Sequence, residues 1–482
     1  MRYGIALVCW LFCTSVASAE GPDRSQLPAP GSQTVWSPPQ VETWTMNNGM
    51  TVWFMEAKGA PLVSLRVVTA HGAGTDPMDK SGVASLMVDM MDEGAGKRNA
   101  LALSEAFQLL ATDYSSSAAT DGLMFSLAML ADNVGPSLEL LADVLIRPAF
   151  PEAEFKRRKA QRLASTLTQE ANLGTVANWV RARALYGSGL GGYPANGRRN
   201  ALKEISLKDV LASYNSLVKP VGSTVIVVGN IRKEPLKSAL EQSLGQWAGQ
   251  SDARLRKEDK QAKYTGLHVV DFPGSAQSVV MLARPVSGTQ AEDYFSALVF
   301  NRPFSGSFTG RVNMNLREDK GYTYGARGSF RRIRSHGTYL IYAKVKRDTT
   351  KASIEEMLKE LSEIRGKRPL TDKELSNAKG GLQKSFPGRF ERINSVSQQL
   401  AMLVLDGHPS DRYDSWPKRV GEIDLAAAQQ SAQKYTDPAE FAIIVAGDLA
   451  KIGESLTGLS TSIRYYDSQG RLKEMPDSKA KK

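Results

Sequence analysis

EISLKDVLASYNSLVKPVGSTVIVVGN at residues 204–230 returns as EIDLAAAQQSAQKYTDPAEFAIIVAGD at residues 422–448. Glu204-Ile205-Ser206-Leu207 matches Glu422-Ile423-Asp424-Leu425, Pro220 matches Pro438, and the run Val225 to Asn230 matches Ile443 to Asp448, each pair 218 positions apart. Upstream, Arg147-Pro148 followed by Glu154-Phe155 returns at a slightly larger offset as Arg368-Pro369 followed by Glu374-Leu375. Several matches in one order at nearly one spacing mark an internal repeat. Ser206-x-x-Asp209 resembles a capping box and Thr371-x-x-Glu374 matches one, so helices open at both places. The apolar run ending in Gly-Asn or Gly-Asp then predicts a central strand that closes each copy. Elsewhere, residues 41–57 alternate around Asn47-Asn48-Gly49, a hairpin signal, and residues 62–69 are β-rich. Pro136 opens a helix with Leu138, Leu141 and Leu145 on one stripe. The fold class is therefore α+β: two tandem homologous domains, residues 41–250 and 264–466, each a mixed, mostly antiparallel sheet packed with helices. The charged stretch 251–263 reads as the linker, and the polar ends 20–40 and 467–482 as unstructured.

With 482 residues, 42% of them hydrophobic and 23% charged, the chain has the composition of a globular protein and is long enough for large cores. Arg2, the apolar stretch 4–16 and Ala17-Ser18-Ala19 predict a signal peptide over residues 1–19, hence export to a periplasm or beyond the cell. Cys9 and Cys13 both fall inside it, which leaves a mature chain with no thiol or disulfide. No later apolar run approaches the roughly 18–20 residues needed to span a bilayer. The charge of +11 steers acidic partners, and export argues against nucleic acid.

Several motifs carry no chemistry. Gly187, Gly189 and Gly192 satisfy G-x-G-x-x-G, but a phosphate cradle needs a strand before it, and residues 176–186 read as helix. No G-x-S-x-G elbow, Walker loop or cysteine nucleophile is present. The four histidines, His71, His268, His336 and His408, are far apart in sequence, and His71 reads as a turn residue before Gly72-Ala73-Gly74.

Residues 313–330, NMNLREDKGYTYGARGSF, are the most informative segment. Periodicity predicts a helix over 310–317, a turn at Lys320-Gly321 and a strand over 322–330. Alternation puts Tyr322, Tyr324, Ala326, Gly328 and Phe330 on one face, with Arg317 reaching towards Tyr324. A guanidinium and a phenol aimed into one cleft suit the carbonyls of a bound peptide.

This segment resembles the C-terminal-half signature of the pitrilysin and insulinase family of zinc peptidases, the inverted zincins, in which a helix ending Leu-Arg-Glu runs through Lys-Gly into an aromatic-rich strand. The tandem repeat, Val228-Gly229-Asn230, Asp406-Gly407-His408-Pro409 before Tyr413-Asp414, and Gly82-Val83-Ala84 opening a helix extend the likeness over nearly the whole mature chain. The resemblance implies one half of a clam-shell peptidase, with Arg317 and Tyr324 assisting catalysis. It also places the H-x-x-E-H zinc motif at Ser85-Leu86-Met87-Val88-Asp89, where Ser85 and Asp89 replace the histidines and Val88 the general base. A third ligand is expected around residues 164–167, where no acid lies; Glu170 is the nearest. Asn301 to Ser307 replaces a small Gly-rich turn of the relatives. The resulting expectation is a chain with no metal or other cofactor of its own. It is inert alone and pairs with a zinc-bearing homologue in a heterodimeric endopeptidase, lending Arg317 and Tyr324 to the partner's zinc and the bound peptide. The alternative is a peptide-binding or scaffold protein with no part in proteolysis.

Overall fold

The computed structural model describes Ser25, residues 36–257 and residues 265–473. The expected signal peptide lies outside the described residues. So do most of segment 20–40, residues 258–263 of the linker and residues 474–482 of the tail.

The first copy forms β1 (Glu42–Thr45), β2 (Thr51–Glu56), β3 (Leu62–Val68), a two-residue pair β4 (Gly94–Ala95) and β5 (Arg98–Asn99), then β6 (Asp113–Ala118), β7 (Leu123–Leu130) and β8 (Thr224–Gly229). Its main sheet runs β1-β2-β8-β3-β7-β6. The second copy supplies β9 (Gly266–Asp271), β10 (Gln277–Ser287), β11 (Thr323–Arg332), β12 (His336–Lys346), β13 (Ala442–Gly447), β14 (Ile463–Tyr466) and β15 (Leu472–Lys473) in the order β11-β12-β10-β13-β9-β14-β15. The repeated runs are β8 and β13, buried at every position. Each lies between one parallel neighbour (β2 or β9) and one antiparallel neighbour (β3 or β10). A strand covered on both faces needs an unbroken apolar run, which is what both copies carry. Ser206 and Thr371 close capping boxes with Asp209 and Glu374. At the Asn47-Asn48-Gly49 turn, Gly49 adopts φ 85°, and Asn48 Nδ2 donates to Leu244 O at 2.8 Å.

The two copies exchange helices. Helix α1 (Val83–Met90), α2 (Ala100–Leu109) and α3 (Val134–Ile146) join the core of the first sheet. After α4 (Glu152–Glu170), α5 (Leu173–Tyr186) leaves its own copy and buries Val176, Ala177, Trp179, Val180 and Leu185 against Val279, Met281, Ile444 and Ala446 of the second sheet. In return the helix Ile393–Asp406 packs on β3 and β8 of the first. There Ser397 Oγ lies 2.8 Å from Ser64 Oγ and accepts from Arg66 Nε at 2.9 Å. Each fully buried aliphatic side chain in such a contact contributes about 1.5–3 kcal/mol, so the halves of the sequence share two cores.

Two ends expected to be loose are held. Linker residues 251–257 lie on the first copy: Arg256 N–H donates to Gly74 O at 2.9 Å and Leu190 N–H to Lys257 O at 3.2 Å. The tail expected to be unstructured from Asp467 instead makes a turn, with Asp467 N–H donating to Arg471 O at 3.0 Å, before β15 pairs with β14. Satisfaction of the backbone by the sheet edge outweighs the polar composition there.

Where the turns of the two sheets meet, Arg334 N–H donates to Asp121 Oδ2 at 2.8 Å and Arg334 Nε to Leu405 O at 3.2 Å. Burial and the neighbouring Asp121 charge push the Asp406 carboxyl up to about 7, against the pull of Arg334. An unfolded aspartate titrates near ~3.9, so the folded chain holds this proton more tightly. Its contribution to stability is full below about pH 4 and is lost as pH rises through 7. Asp406→Asn should therefore stabilise the fold at pH 8 by about 1–2 kcal/mol, allowing for partial solvent screening. The gain over wild type should vanish near pH 4 in urea titrations.

Candidate functional site

Helix α1 carries the motif positions, and its start is built by the chain just ahead. Gly82 sits at φ 99° against the backbone of Gly197, where a Cβ would approach Gly197 Cα to 2.7 Å. Asp76 accepts from Gly82 N–H at 2.7 Å and Ala84 N–H at 3.2 Å. Burial pushes the Asp76 carboxyl up to about 7, opposed by those amides and by Arg256.

Ser85 and Asp89, one turn apart, face α4. Arg162 of α4 reaches both: its Nη2 donates to Ser85 Oγ at 3.1 Å and forms a salt bridge with Asp89. Ser85 Oγ in turn donates to Asn196 Oδ1 at 3.1 Å. Val88 is buried in the core. Within 164–167, Thr166 is buried and bonded to Leu163 O, while Leu167 is exposed. Glu170 is bound to Arg199. Zinc does not fit these residues, because a guanidinium already occupies the cation's place between the two helices. Among the described residues no group of three or more His, Cys, Asp or Glu could hold a metal ion. The histidines are elsewhere: His268 Nδ1 lies 2.9 Å from Tyr466 Oη, and burial holds His336, 4.5 Å from the Tyr186 ring, down to about 4. His71, expected to be a hydrogen-bonded turn residue, accepts from Thr69 Oγ1 at 2.7 Å through its backbone carbonyl, while its buried ring Nδ1 has no partner among the described residues. The sequence reading missed Arg162, although an arginine on the helix meant to supply an acid, with Asp89 free to meet it, was the available signal. Arg162→Met should cost about 1–2 kcal/mol by leaving a half-buried Asp89 unpaired. Adding Asp89→Asn should recover part of that loss in a urea double-mutant cycle.

The second candidate group lies on the other sheet. The helix expected over 310–317 is a single α-turn, Arg311–Asn313, that widens into a π-turn, Met314–Asp319, with Lys320 N–H reaching back to Asn315 O. Wide turns of this kind recur at functional sites. Gly321 makes the turn at φ 64°. The strand departs from the simple alternation: β11 carries an irregularity between Thr323 and Ala326. Asn313 holds it open by accepting from Ala326 N–H at 2.8 Å and donating to Phe308 O at 2.6 Å. Ala326 and Gly328 point into the core, but Tyr324 is thrown outward and is 91% exposed. Arg317 does not turn to Tyr324; its guanidinium lies 4.5 Å from the centre of the exposed Phe308 ring and its Nε 3.3 Å from Glu318. Tyr324 stands exposed on the edge strand β11, and Phe308 and Arg317 stack on each other in the segment ahead of it.

A second π-turn, Arg302–Gly306, supports β11 from behind. Ser305 Oγ donates to Asn301 Oδ1 at 2.8 Å, Tyr339 Oη donates to the same oxygen at 2.9 Å, and Asn301 Nδ2 donates to Gly328 O at 3.0 Å. The segment expected to be merely an altered turn is thus a buried polar clamp on the strand carrying Tyr324.

The sequence model of "Insulinase (Peptidase family M16)" matches residues 52–189, and that of "Peptidase M16 inactive domain" matches residues 204–382. The chain belongs to the peptidase M16 (insulinase) family. Among M16 relatives, an uncharacterized zinc protease, YmxG, of Bacillus subtilis is 20% identical over 363 residues, covering 74% of this chain and 86% of that protein. A non-peptidase homolog of the same name in Helicobacter pylori is 20% identical over 342 residues, covering 70% of this chain and 77% of the relative. The crystal structure of a peptidase M16 inactive domain from Pseudomonas fluorescens is similar at 25% identity, with a TM-score of 0.78 over 85% of this chain and 98% of that one. The α+β architecture of two M16-type domains, each a mixed sheet with helices, agrees with these matches. No helix among the described residues is long and apolar enough to cross a membrane.

Proposed function

We propose that this M16 protein is an exported, metal-free subunit that pairs with a zinc-bearing homologue to form an endopeptidase, with Arg317 and Tyr324 acting at the partner's metal centre. The observation that carries this reading is the contrast between the two candidate sites. The motif on α1 is closed by Arg162, whereas Tyr324 stands out on a strand held by an elaborate buried clamp. A fully exposed tyrosine on a rigid support is a group positioned for contact with another molecule. Hydrogen-bond donors of this kind stabilise a carbonyl that is becoming an oxyanion but supply no nucleophile of their own, and in this reading the attacking water and its metal come from the partner. One relative bears the name of a zinc protease and another that of a non-peptidase homolog, and this reading places the chain beside the second.

Co-purification from the native host tests the pairing. A companion of similar size carrying H-x-x-E-H and stoichiometric zinc is expected. Isolation as a homodimer, or within a large assembly devoid of peptidase activity, would favour the scaffold reading instead.

A further inference from the structure

Helix α5 lies across β13, β10 and β9 and leaves the outer strands β12 and β11 uncovered on the same side. Along that strip the register pairs Arg331 with Thr338, Ser329 with Leu340 and Arg327 with Tyr342, so these six side chains share the α5 face, opposite Ala326 and Gly328. Arg327, Arg331 and Lys344 are exposed, and none forms a salt bridge or a side-chain hydrogen bond among the described residues. The flank of α5 adds another cation. Arg181 is only 9% exposed, yet its guanidinium meets neutral acceptors alone, Asn178 Oδ1 at 2.9 Å and Thr338 Oγ1 at 3.1 Å. Burial, with the neighbouring Arg331 charge acting in the same sense, lowers it to about 10, which leaves it charged at neutral pH.

No Asp or Glu occurs anywhere in α5, β11 or β12. Asp121 of the first copy, which reaches the turn beyond Arg331, is bonded to Arg334 N–H. At the Lys344 end the strip opens into a cavity of about 510 Å³ between the start of α5 and residues 272–277, again lined by no acid. A recessed surface with several positive charges and no negative one draws in anions. Its geometry narrows the kind. Arg327 and Arg331 lie four residues apart on one strand, ~13 Å at the usual rise, too far for one phosphate or carboxylate to bridge. Side chains four apart on an extended peptide have that same spacing.

We propose that this strip binds an extended acidic peptide, with Glu or Asp side chains four residues apart on Arg327 and Arg331 and with Arg181 adding its charge from the flank of α5. The choice of a peptide rests on the reading of Tyr324, on the same strand, as a peptide contact. The preference for acidic side chains rests on the strip itself.

Calorimetric titration of the full chain at low salt tests it with three blocked peptides: acetyl-Ala-Glu-Ala-Ala-Ala-Glu-Ala-amide, its Gln counterpart and its Lys counterpart. The Glu peptide should bind, the Gln peptide about tenfold more weakly, and the Lys peptide not measurably. Raising the salt to about 1 M, where the screening length is about 3 Å, should remove most of the Glu preference. Arg327→Gln and Arg331→Gln should each weaken the Glu peptide about threefold and together erase its advantage over Gln. The comparison of peptides on the wild-type chain stands even if a variant folds poorly. Equal binding of the Glu peptide and either counterpart, no binding of any, or a Glu preference that survives in the double variant overturns the proposal. Displacement of the Glu peptide by pyrophosphate at equal concentration overturns the assignment to a peptide. Because the lone chain is titrated without a partner, a failure here leaves the paired-peptidase reading standing, and unchanged turnover by the Arg317→Ala pair would leave this binding standing.

Discussion

Exchanging Arg317 for alanine should lower peptide turnover by the reconstituted pair about a hundredfold, the usual effect of deleting one donor aimed at a developing oxyanion. The fold should not suffer: Arg317 is stacked on an exposed Phe308 and bonded to nothing deeper than Glu318, and surface substitutions of this kind stay within about 0.5 kcal/mol. Tyr324→Phe should act in the same direction and more mildly, since the ring remains to pack against substrate while the hydroxyl is lost. The loss should fall on kcat more than on KM, because the interaction strengthens as the carbonyl becomes tetrahedral. Unchanged turnover in both variants would remove the role assigned to this surface.

Gly328→Ala should be the most damaging single methyl group in the second sheet. A Cβ there would lie 1.9 Å from Ser305 Oγ and 2.7 Å from Ser305 Cβ, with Ile341 Cγ1 at 3.3 Å closing the far side. Ser305 is fully buried and cannot retreat without giving up its bond to Asn301, and Asn301 in turn would lose its hold on the Gly328 carbonyl. Overpacking together with a broken buried network costs about 3 kcal/mol or more, readable as a lower urea midpoint. Ser305→Gly in the same chain should restore part of it by clearing the clash. If the single variant is as stable as wild type, the clamp behind β11 is not as tight as drawn. Because β11 also carries Tyr324, any folded Gly328→Ala protein should lose activity in the pair as well.

The doubled fold was legible because its two central strands are buried on both faces and so must be unbroken apolar runs; Val225 to Gly229 and Ile443 to Gly447 could hardly be anything else. The capping boxes at Ser206 and Thr371 were legible for a similarly local reason. The exchange of helices was not. Val176 to Leu185 announces that α5 is buried, but an all-round apolar helix does not say against which sheet. Tyr324 was placed on the wrong face because alternation holds only until the register breaks, and the break depends on Asn313, ten residues upstream of Thr323, taking the Ala326 amide. Arg162 was not legible for a different reason: the resemblance to a metal motif predicts an acid on α4, whereas the fold sets a positive side chain against Asp89 there.

The most direct measurement is hydrolysis of an oligopeptide library by the purified chain alone, with and without a chelator, alongside its zinc content by elemental mass spectrometry. No cleavage beyond background and no stoichiometric zinc are expected, since Arg162 fills the cation's place and Val88 cannot take a proton. Cleavage by the lone chain that a chelator abolishes would contradict the central claim outright.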